Sequence, residues 1–466
     1  MSEIPRPPAL ANSEAVPVLG LQKQLGGAPT KKSTILSWAL WDWGLQPFNT
    51  IIVTFIFTAL YLTTDAFLPA DGAAMANDHP AKKGALADLA SGLGWGSTIA
   101  GLLILLLAPV LGQQADAQGR QKLWLGIGTI GTVLSMLALW FAEPAPAFFW
   151  FAVSMISAGT VLGEIAAVNS NALLVSIATP KNIGRISGLG WGFGYVGGVV
   201  ALILVVAFYI SDWFGIPDDG GVPFRLIAVG CAVWAIVFCL PVFLKVPEPA
   251  PLGKPERKAG FFQSYAILLR DVKGLYKNPT TRNTFWFLLS SAVFRDGLAG
   301  VFAFGAVIAS QVFDFGFIDI VIFGIAANLI AGVSTMVAGR WDDRFGPKAI
   351  IVFALTGMVV AGLLVFFFAD AGKIVFWIFG LVLCAFVGPA QSAGRSFLAR
   401  VTPAGREGEI FGLYATTGRA ASWMSAALWS AFIAITSATI FGVLGIVLVL
   451  LAGLLLILPV KPTTRA

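Results

Sequence analysis

Histidine, cysteine and charged residues are scarce in this chain, and each scarcity excludes a class of function. The 466 residues include one histidine, His79, and three cysteines, all inside apolar runs and without CxxC spacing. A zinc site, a disulfide framework and a Ser-His or Cys-His nucleophile therefore have no support. We expect no enzyme, no catalytic residue, no metal and no cofactor.

The low charge content places the chain in a membrane. Charged residues make up 12% of the sequence and hydrophobic residues 57%, against a charged share of about 25% in soluble domains. The net charge of +6 could suggest nucleic-acid binding, but the Lys and Arg residues stand in short loops at alternate ends of apolar runs. That pattern indicates membrane topology and a lipid bilayer as partner, with no nucleic acid.

Twelve apolar runs are long enough to cross a bilayer, which takes roughly 20 residues in helical form. They cover residues 35–62, 91–111, 123–142, 147–177, 186–211, 224–245, 284–313, 318–338, 349–369, 374–399, 408–435 and 438–459. The sequence therefore predicts an all-α membrane protein with twelve transmembrane helices. We number these predicted helices span 1 to span 12.

The longest polar interruption divides the spans six and six. We expect a disordered cytoplasmic tail, a six-helix bundle, a cytoplasmic linker, a second six-helix bundle and a short cytoplasmic tail, over residues 1–33, 34–245, 246–283, 284–460 and 461–466. Within the linker, residues 261–276 have the amphipathic pattern of a helix that lies on the inner membrane surface.

Lys and Arg are distributed unequally between the two sides of the membrane. With the N-terminus in the cytoplasm, 23 of the 30 fall in inner loops and tails, three lie within spans, and four fall in outer loops: Lys82, Lys83, Arg225 and Lys373. The positive-inside rule then predicts that both termini are cytoplasmic.

A short polar motif occurs once in each half of the chain. The pattern GxxxDxxG stands between spans 2 and 3 and, 227 residues later, between spans 8 and 9, as Gly112, Asp116 and Gly119 and as Gly339, Asp343 and Gly346. A second echo supports the same division, because Gly188 and Gly194 recur 224 residues later as Gly412 and Gly418. Two related halves in an apolar chain are typical of transporters.

The two GxxxDxxG motifs are predicted to form a cytoplasmic gate. Glycine at both ends permits tight turns, and the aspartate can pair with an arginine or a helix N-terminus on a neighbouring helix. The gate would comprise both motifs and four inner arginines, Arg120, Arg185, Arg344 and Arg406. The paired motif resembles the cytoplasmic signature of the major facilitator superfamily, which implies two pseudo-symmetric six-helix bundles that open alternately to the two sides.

Six ionisable residues fall within the predicted spans and away from the span ends: Asp42, Glu164, Arg295, Asp296, Arg395 and Arg419. A charge at the centre of a bilayer costs about 2.5 to 3.5 kcal/mol even on an insertion scale, so each is a candidate functional residue. The alternative is structural, either an ion pair between helices or a side chain that reaches the interface. For Asp42 and Glu164 both interpretations stay open.

Some of these charges combine with neighbours into a predicted site. Arg295 and Arg419 both fall near mid-membrane, and a guanidinium prefers bidentate contacts with a carboxylate. Asp42, Gln46 and Asn49 share one face of span 1 by their i, i+4, i+7 spacing, and Pro47 should bend the helix there. We predict a substrate site of Arg295, Arg419, Asp296, Asn49 and Gln46, and candidates for binding an amine or a coupling proton in Asp42, Glu164 and Asp296.

Span 5 is rich in glycine at four-residue spacing, with Gly190, Gly194 and Gly198 in one row. Such rows are typical of close helix packing. For Trp191 and Tyr195 on the same span, packing is also favoured over a place in a pocket.

Several stretches resemble one branch of the major facilitator superfamily, the autophagy-related 22-like or unknown major facilitator branch, which contains the fungal vacuolar amino-acid effluxer of autophagy and many bacterial relatives. They are WALWDW at 38–43, NALL at 171–174, GRISGLGW at 184–191, GRE at 405–407 and FGLY at 411–414. The branch has Tyr-Asn-Asp-Gly where this chain has Phe-Arg-Asp-Gly at 294–297. Arg295 in place of a neutral Asn changes the charge of the cavity that the resemblance implies.

The sequence predicts a secondary transporter of a small polar solute that works by alternating access. No GxxxxGK[ST] motif occurs, so the energy comes from a gradient of the solute or of a coupling ion such as the proton. The intramembrane charges favour an amino acid or a related carboxylate. A sugar or hydrophobic-compound transporter and a non-transporting membrane sensor or scaffold are the alternatives. The resemblance implies the cytoplasmic membrane of a bacterium, and we expect a monomer there.

Overall fold

The structure is a computed structural model. It describes residues 31–461 apart from 78, 119, 178–182, 218, 249–260, 280, 402–413, 415–416 and 419–420. Within this part the chain is helical and has no strand. The predicted tails therefore lie almost entirely outside the described residues.

The main helices of the described part occur in the predicted order. We number them α1 to α12, over Lys32–Pro47, Pro80–Gln118, Gln121–Ala138, Pro146–Ile177, Ile183–Ile210, Val222–Lys245, Arg282–Gln311, Phe317–Phe345, Pro347–Phe367, Leu381–Val401, Met424–Thr436 and Phe441–Ile457. A further helix between α6 and α7, Phe261–Lys277, is called the linker helix. Ten described helical stretches of 19 to 31 residues are long and apolar enough to cross a membrane, and α11 and α12 are shorter apolar helices.

The first transmembrane helix changes its geometry at Pro47, where the sequence predicts a bend. Regular α-helix ends at Pro47, and the chain continues as π-helix over Phe48–Phe55 and Thr58–Leu62. Proline lacks the N–H needed for the i to i−4 hydrogen bond, and its ring crowds the preceding turn. Wider π-helical turns satisfy the backbone beyond such a break and are frequent at functional sites.

Helix α2 is longer than predicted, because it begins at Pro80 and the apolar run begins at residue 91. Hydropathy detects the part of a helix that lies in hydrocarbon, and the first turns of α2 carry the polar residues Lys82, Lys83 and Asp88. The extra turns extend the helix beyond the apolar run.

Helix packing repeats between the two halves. In the first half α1 packs on α5 and α6, α2 on α4, and α3 on α4 and α6. In the second half α7 packs on α11 and α12, α8 on α10, and α9 on α10 and α12. Each of these first-half contacts recurs with the helix numbers raised by six. Between the halves α2 packs on α11 and α5 on α8, which is the same contact under that shift.

Hydrogen bonds join the two halves at one end, which we call the outer end after the predicted orientation. Gln311, the last residue of α7, donates its amide to Thr63 O at 2.8 Å and Leu86 O at 3.1 Å. Its amide oxygen accepts from Thr439 Oγ1 at 2.6 Å. The indole of Trp429 in α11 also donates to a backbone carbonyl of α2. The outer end is therefore closed by polar contacts between α1, α2, α7 and the α11–α12 connection.

The long outer loop before and within the start of α2 is folded around a lysine. Lys82 is 4% exposed, and its ammonium donates to Asp65 Oδ2, Ala73 O, Met75 O and Asn77 Oδ1 at 2.9 to 3.2 Å. Four oxygens around one ammonium satisfy a charge that would otherwise be costly to bury. This gives a structural role to a segment for which the sequence offers no functional interpretation.

Large apolar side chains cover much of the outside of the bundle. Ile130, Leu134, Ile210, Phe353 and Val360 are each at least half exposed. A soluble protein rarely exposes apolar surface on this scale. The pattern is the one expected of helices whose outer faces contact lipid, and the chain is an integral, multi-pass membrane protein.

Candidate functional site

A polar cavity of about 240 Å³ lies between α1, α3, α4 and α5. Two carboxylates, Asp42 and Glu164, line it together with the amides of Gln46 and Asn49. The remaining lining residues are Trp41, Leu45, Phe48, Thr132, Thr160, Gly163, Ala167, Gly194 and Tyr195. Among the described lining residues, none is basic. The sequence therefore predicted the cavity-lining face of span 1 and the acidic residue of span 4 that shares the cavity with it.

Tryptophan side chains fix the position of α1 beside this cavity. The indole of Trp38 donates to Ser170 O of α4 at 2.8 Å, and that of Trp41 donates to Thr129 Oγ1 of α3 at 3.0 Å. Both tryptophans are buried. Hydrogen bonds are stronger in a low-dielectric interior than in water. These two contacts therefore hold α1 at one rotation about its axis and keep Asp42 on the side that faces the cavity.

The glycine row of α5 gives Asp42 its room. A Cβ added at Gly190 would lie 2.9 Å from Asp42 Oδ2 and 2.8 Å from the ring of Trp38. A Cβ at Gly198 would lie 2.8 Å from Thr50 Oγ1, whose hydroxyl accepts a hydrogen bond from Gln46. The close helix packing predicted for these glycines is confirmed. Tyr195, for which packing was also favoured, instead lines the cavity.

The described lining of the cavity offers polar groups that can bind an amine or a hydroxyl: two carboxylates and two side-chain amides. Thr132 and Thr160 add hydroxyl groups; Thr132 donates to Gly128 O and Gly159 O, and Thr160 to Ile156 O. The sequence analysis missed both threonines, because a hydroxyl bonded to its own helix backbone is common inside apolar spans.

Arg295 of α7 does not line this cavity and lies against the segment before α11. Its Nη1 donates to Tyr414 O at 3.0 Å, and its guanidinium carbon lies 4.2 Å from the centre of the Tyr414 ring. A Cβ added at Gly418 would lie 2.5 Å from Nη1. The guanidinium is thus held by a cation–π contact and one hydrogen bond, and its side chain is half-buried.

Asp42 and Arg295 occupy equivalent places in the two halves. Asp42 lies against Gly190 and Gly194, and Arg295 lies against Tyr414 and Gly418. Tyr414 follows Gly190 by 224 residues, and Gly418 follows Gly194 by the same number. The glycines two residues after these charges also correspond. Gly44 packs against α6, and Gly297 packs against α12, which is the equivalent helix of the second half. The same position therefore carries a carboxylate in one half and a guanidinium in the other.

Asp296 has a different environment from its neighbour Arg295. It is 4% exposed; its Oδ2 accepts from the backbone N–H of Ser425 at 2.5 Å, and its own carbonyl accepts from Ser425 Oγ at 3.1 Å. Ser425 is the second residue of α11, where backbone N–H groups have no partner within the helix. Asp296 therefore caps the N-terminus of α11, and it does not line the polar cavity.

The other predicted site residues are described only in part. Arg419, Arg406 and Gly119 lie outside the described residues, as do the side chains of Asp116, Arg185 and Asp343. Gly112 and Gly339 fall within α2 and α8, near their inner ends. The gate therefore stays a prediction.

Three predicted gate residues are described in full. Arg120 is exposed and precedes α3, and Arg344 is exposed, with its guanidinium 5.3 Å from the ring of Phe345. Gly346 ends α8 with φ 84° and ψ 152°, a conformation that favours glycine. Asp342, which the sequence analysis did not select, is buried at the same end of α8.

A second cavity, of about 190 Å³, lies between α1, α5 and α6. Its walls are almost wholly apolar, with Ile51, Leu204, Phe208, Ile227 and Trp234 among them. It offers no group that would orient a polar solute. Among the described residues, no cluster of three or more His, Cys, Asp or Glu side chains could hold a metal ion.

Comparison with known proteins identifies the family. The family model described as "Vacuole effluxer Atg22 like" matches residues 177–464, more than half of the chain. The chain belongs to this family. An uncharacterized MFS-type transporter of Bacillus subtilis is 22% identical over 424 residues, which cover 90% of this chain and 93% of that protein. Autophagy-related protein 22 of Cryptococcus neoformans is 25% identical over 264 residues, which cover 52% of this chain and 46% of that protein.

Solved structures of major facilitator transporters share the fold of this Atg22-like chain. The inward-open xylose transporter XylE of E. coli matches with a TM-score of 0.59 at 14% identity, over 92% of this chain and 95% of that one. The human organic anion transporter MFSD10 matches with a TM-score of 0.61 at 15% identity, over 92% of this chain and the whole of that one. The predicted fold and family are confirmed, and the chain is a transporter of the major facilitator type.

Proposed function

We propose that the chain carries a small zwitterionic solute, an amino acid or a close analogue, by alternating access between its two bundles. The amine of the solute would bind at the cavity lined by Asp42 and Glu164. Its carboxylate would bind Arg295 on the opposite bundle, with Arg419 as a second guanidinium. The solute would then bridge the bundles, which is how binding can be coupled to their relative movement.

One observation carries this proposal: equivalent positions of the two halves bear opposite charges. Helix α7 contacts the π-helical continuation of α1, so Asp42 and Arg295 belong to helices that meet at the interface between the bundles. Arg295 uses one of its five N–H donors on Tyr414 O, and a guanidinium can bind a carboxylate through two others. A solute with one charge of each sign matches such a pair.

Proton coupling would use the same cavity. A carboxylate that binds a proton in one state and the amine of the solute in the other exchanges the two ligands. We propose Asp42 or Glu164 for this role, in a protein with both termini in the cytoplasm. Asp296 is the weaker candidate, because its oxygen already accepts a hydrogen bond from the α11 backbone.

A sugar is the second candidate solute, and the lining of the cavity favours it specifically. Gln46, Asn49, Thr132 and Thr160 offer amides and hydroxyls, and Trp41 offers a ring. This is the chemistry that binds sugar hydroxyls and the apolar faces of sugar rings. XylE, a structural neighbour, is a xylose transporter, but at 14% identity this likeness extends to the fold alone.

Exchange of labelled solute across proteoliposomes tests both candidates without knowledge of the transport direction. A thermal-shift screen of the purified protein against amino acids, their deaminated and decarboxylated analogues and monosaccharides selects the probes, since a ligand of the folded state raises its stability. For amino acids, Asp42→Asn and Arg295→Gln should each lower kcat/KM by roughly thirtyfold, corresponding to the loss of about 2 kcal/mol from a buried charge pair.

The two variants should differ in what they still carry. Asp42→Asn should lose less activity toward deaminated carboxylates than toward amino acids, and Arg295→Gln should lose less toward decarboxylated amines. Asp88→Asn and Lys83→Gln, which change exposed charges of the outer loop, serve as matched controls and should behave as wild type. Equal losses for every solute, or exchange of monosaccharides alone, would eliminate the zwitterion site.

A further inference from the structure

The linker helix, Phe261–Lys277, contacts both halves of the molecule. It packs on α2 of the first bundle and on α7 of the second. Leu275 is buried and Val272 is partly buried against the core, so these two residues mark its packed side. A helix in this place touches two elements that belong to different bundles.

The described side chains in the C-terminal part of the linker helix fall into three adjacent arcs. At 3.6 residues per turn, Leu269 and Tyr276 fall beside the packed side, and they are 66% and 48% exposed. Rotating further in the same direction leads to three exposed cations, Lys273, Lys277 and Arg270. The order is therefore packed, exposed apolar, then basic, which is the order of a helix that lies along a membrane interface.

Aromatic contacts join the end of the linker helix to the first turns of α7. The Tyr276 ring lies 5.2 Å from that of Phe285 and 6.5 Å from that of Trp286, in the first turns of α7. Arg282 donates its Nε to Tyr276 O at 3.2 Å, and its guanidinium lies 5.6 Å from the Tyr276 ring. Clusters of Tyr and Trp beside Arg at the start of a transmembrane helix are typical of the headgroup region.

Three ion pairs join described side chains, and they lie at the outer end. They are Lys82 with Asp65, Arg225 with Glu143, and Lys373 with Asp319. Within the same described part, none of the linker cations makes an ion pair with a carboxylate. Arg270, Lys273 and Lys277 thus present their charges on the exposed side of the described part of this helix.

We propose that Leu269, Arg270, Lys273, Tyr276 and Lys277 form a binding surface for anionic phospholipid headgroups of the inner leaflet. The basic arc binds the phosphates, and the two apolar side chains enter the boundary with the acyl chains. An acidic protein would match the charge of the basic arc. It would leave the exposed Leu269 and Tyr276, beside Trp286, without an apolar medium. The membrane, which already borders α7 at this level, supplies both chemistries.

Lipid selectivity of the full-length protein tests the proposal. The protein is reconstituted into vesicles of equal parts phosphatidylglycerol and phosphatidylcholine, and the lipids that stay bound after extraction are counted by native mass spectrometry. The triple variant Arg270→Gln, Lys273→Gln, Lys277→Gln should lower the ratio of bound phosphatidylglycerol to phosphatidylcholine at least fivefold, since each cation near an anionic surface contributes roughly a factor of five. High salt should reduce the wild-type ratio in the same direction.

A variant at the outer end separates this surface from general charge. Lys83→Gln, Lys373→Gln removes two exposed cations there and should keep the wild-type ratio. Leu269→Ser, Tyr276→Ser, with all cations in place, should lower the ratio by a smaller factor. An unchanged ratio in the linker triple variant, with size-exclusion and unfolding profiles of the wild type, would overturn the proposal and leave a soluble partner as the occupant of this face.

Discussion

The two halves of this transporter present opposite charges at positions that have equivalent neighbours. In the first half, α1 lies against glycines of α5 and presents Asp42; in the second half, α7 lies against the segment before α11 and presents Arg295. Gly190 leaves space for the carboxylate of Asp42. Its counterpart is Tyr414, and the guanidinium of Arg295 stacks on the Tyr414 ring. The pairing of helices is the same in both halves, and the charged side chain at this position has the opposite sign.

This difference indicates how a duplicated scaffold acquires an oriented site. Two equal bundles would offer a solute the same group from both sides, and a solute with one kind of charge would suffice. Under the proposed function, opposite charges at equivalent positions would instead bind the two ends of one molecule. The solute preference would then depend on two residues, and the packing around them could stay as it is.

Making the halves alike should have the largest effect on function. Arg295→Asp would place a carboxylate on both bundles, and a solute carboxylate would meet repulsion where it now meets a guanidinium. We expect exchange of amino acids to fall by at least a hundredfold, because a like charge is worse than a neutral replacement. Exchange in proteoliposomes measures this, with Arg295→Gln as reference. Activity within threefold of wild type would contradict the assignment of Arg295 to the solute.

Removing Asp296 should lower the stability of the protein and leave its solute preference unchanged. Asp296→Ala leaves the Ser425 N–H of α11 without its acceptor in a buried place, which costs about 1 to 3 kcal/mol. We expect a lower unfolding temperature and an unchanged ranking of solutes. Asp296→Asn, which keeps an acceptor oxygen, is the matched control and should unfold near the wild-type temperature. A changed solute ranking in Asp296→Asn would instead assign this residue to the site.

A methyl group on the glycine row of α5 tests the space beside Asp42. Gly190→Ala forces contacts with Asp42 and the buried Trp38 ring, and overpacking of this kind costs roughly 1 to 3 kcal/mol. Gly192→Ala, two residues away, meets nothing within 4 Å and should be neutral or slightly stabilising, since alanine favours helix. Thermal unfolding in detergent distinguishes the two. Equal unfolding temperatures would show that α1 does not depend on this glycine.

Much of the fold could be predicted from the sequence, because a bilayer imposes a length and an apolar composition on each span. The order of the helices and the division into halves follow from hydropathy and two repeated offsets. The start of α2 and the loop around Lys82 could not be predicted in this way. They lie outside the hydrocarbon, where hydropathy carries no signal. The partners of Lys82 are Ala73, Met75 and Asn77, several residues before it, and Asp65 further upstream.

The candidate site shows a similar limit. The spacing of Asp42, Gln46 and Asn49 predicts one face of a helix, and all three line one cavity. Arg295 and Asp296 are neighbours in sequence but about 100° apart around α7, so one lies on Tyr414 and the other caps α11. The hydropathy of the span and the predicted depth in the membrane are the same for both residues, so neither distinguishes them. Which of two adjacent charges is structural depends on the helices that pack on each side, and a single sequence does not give those contacts.

The smallest effect is expected for the counterpart substitution in the second half, Gly418→Ala. Its new methyl group would meet Nη1 of Arg295, the far end of a flexible side chain, whereas Gly190→Ala meets a buried tryptophan ring. Arg295 can turn away at little cost, so we expect the unfolding temperature to stay near that of wild type. A displaced guanidinium should raise the KM for amino acids a few-fold and leave decarboxylated amines unaffected. Gly332→Ala, with open space around its position, is the control. If Gly418→Ala destabilised the protein as strongly as Gly190→Ala while sparing KM, Arg295 would be a packing residue, and the opposite charges of the two halves would have no part in solute binding.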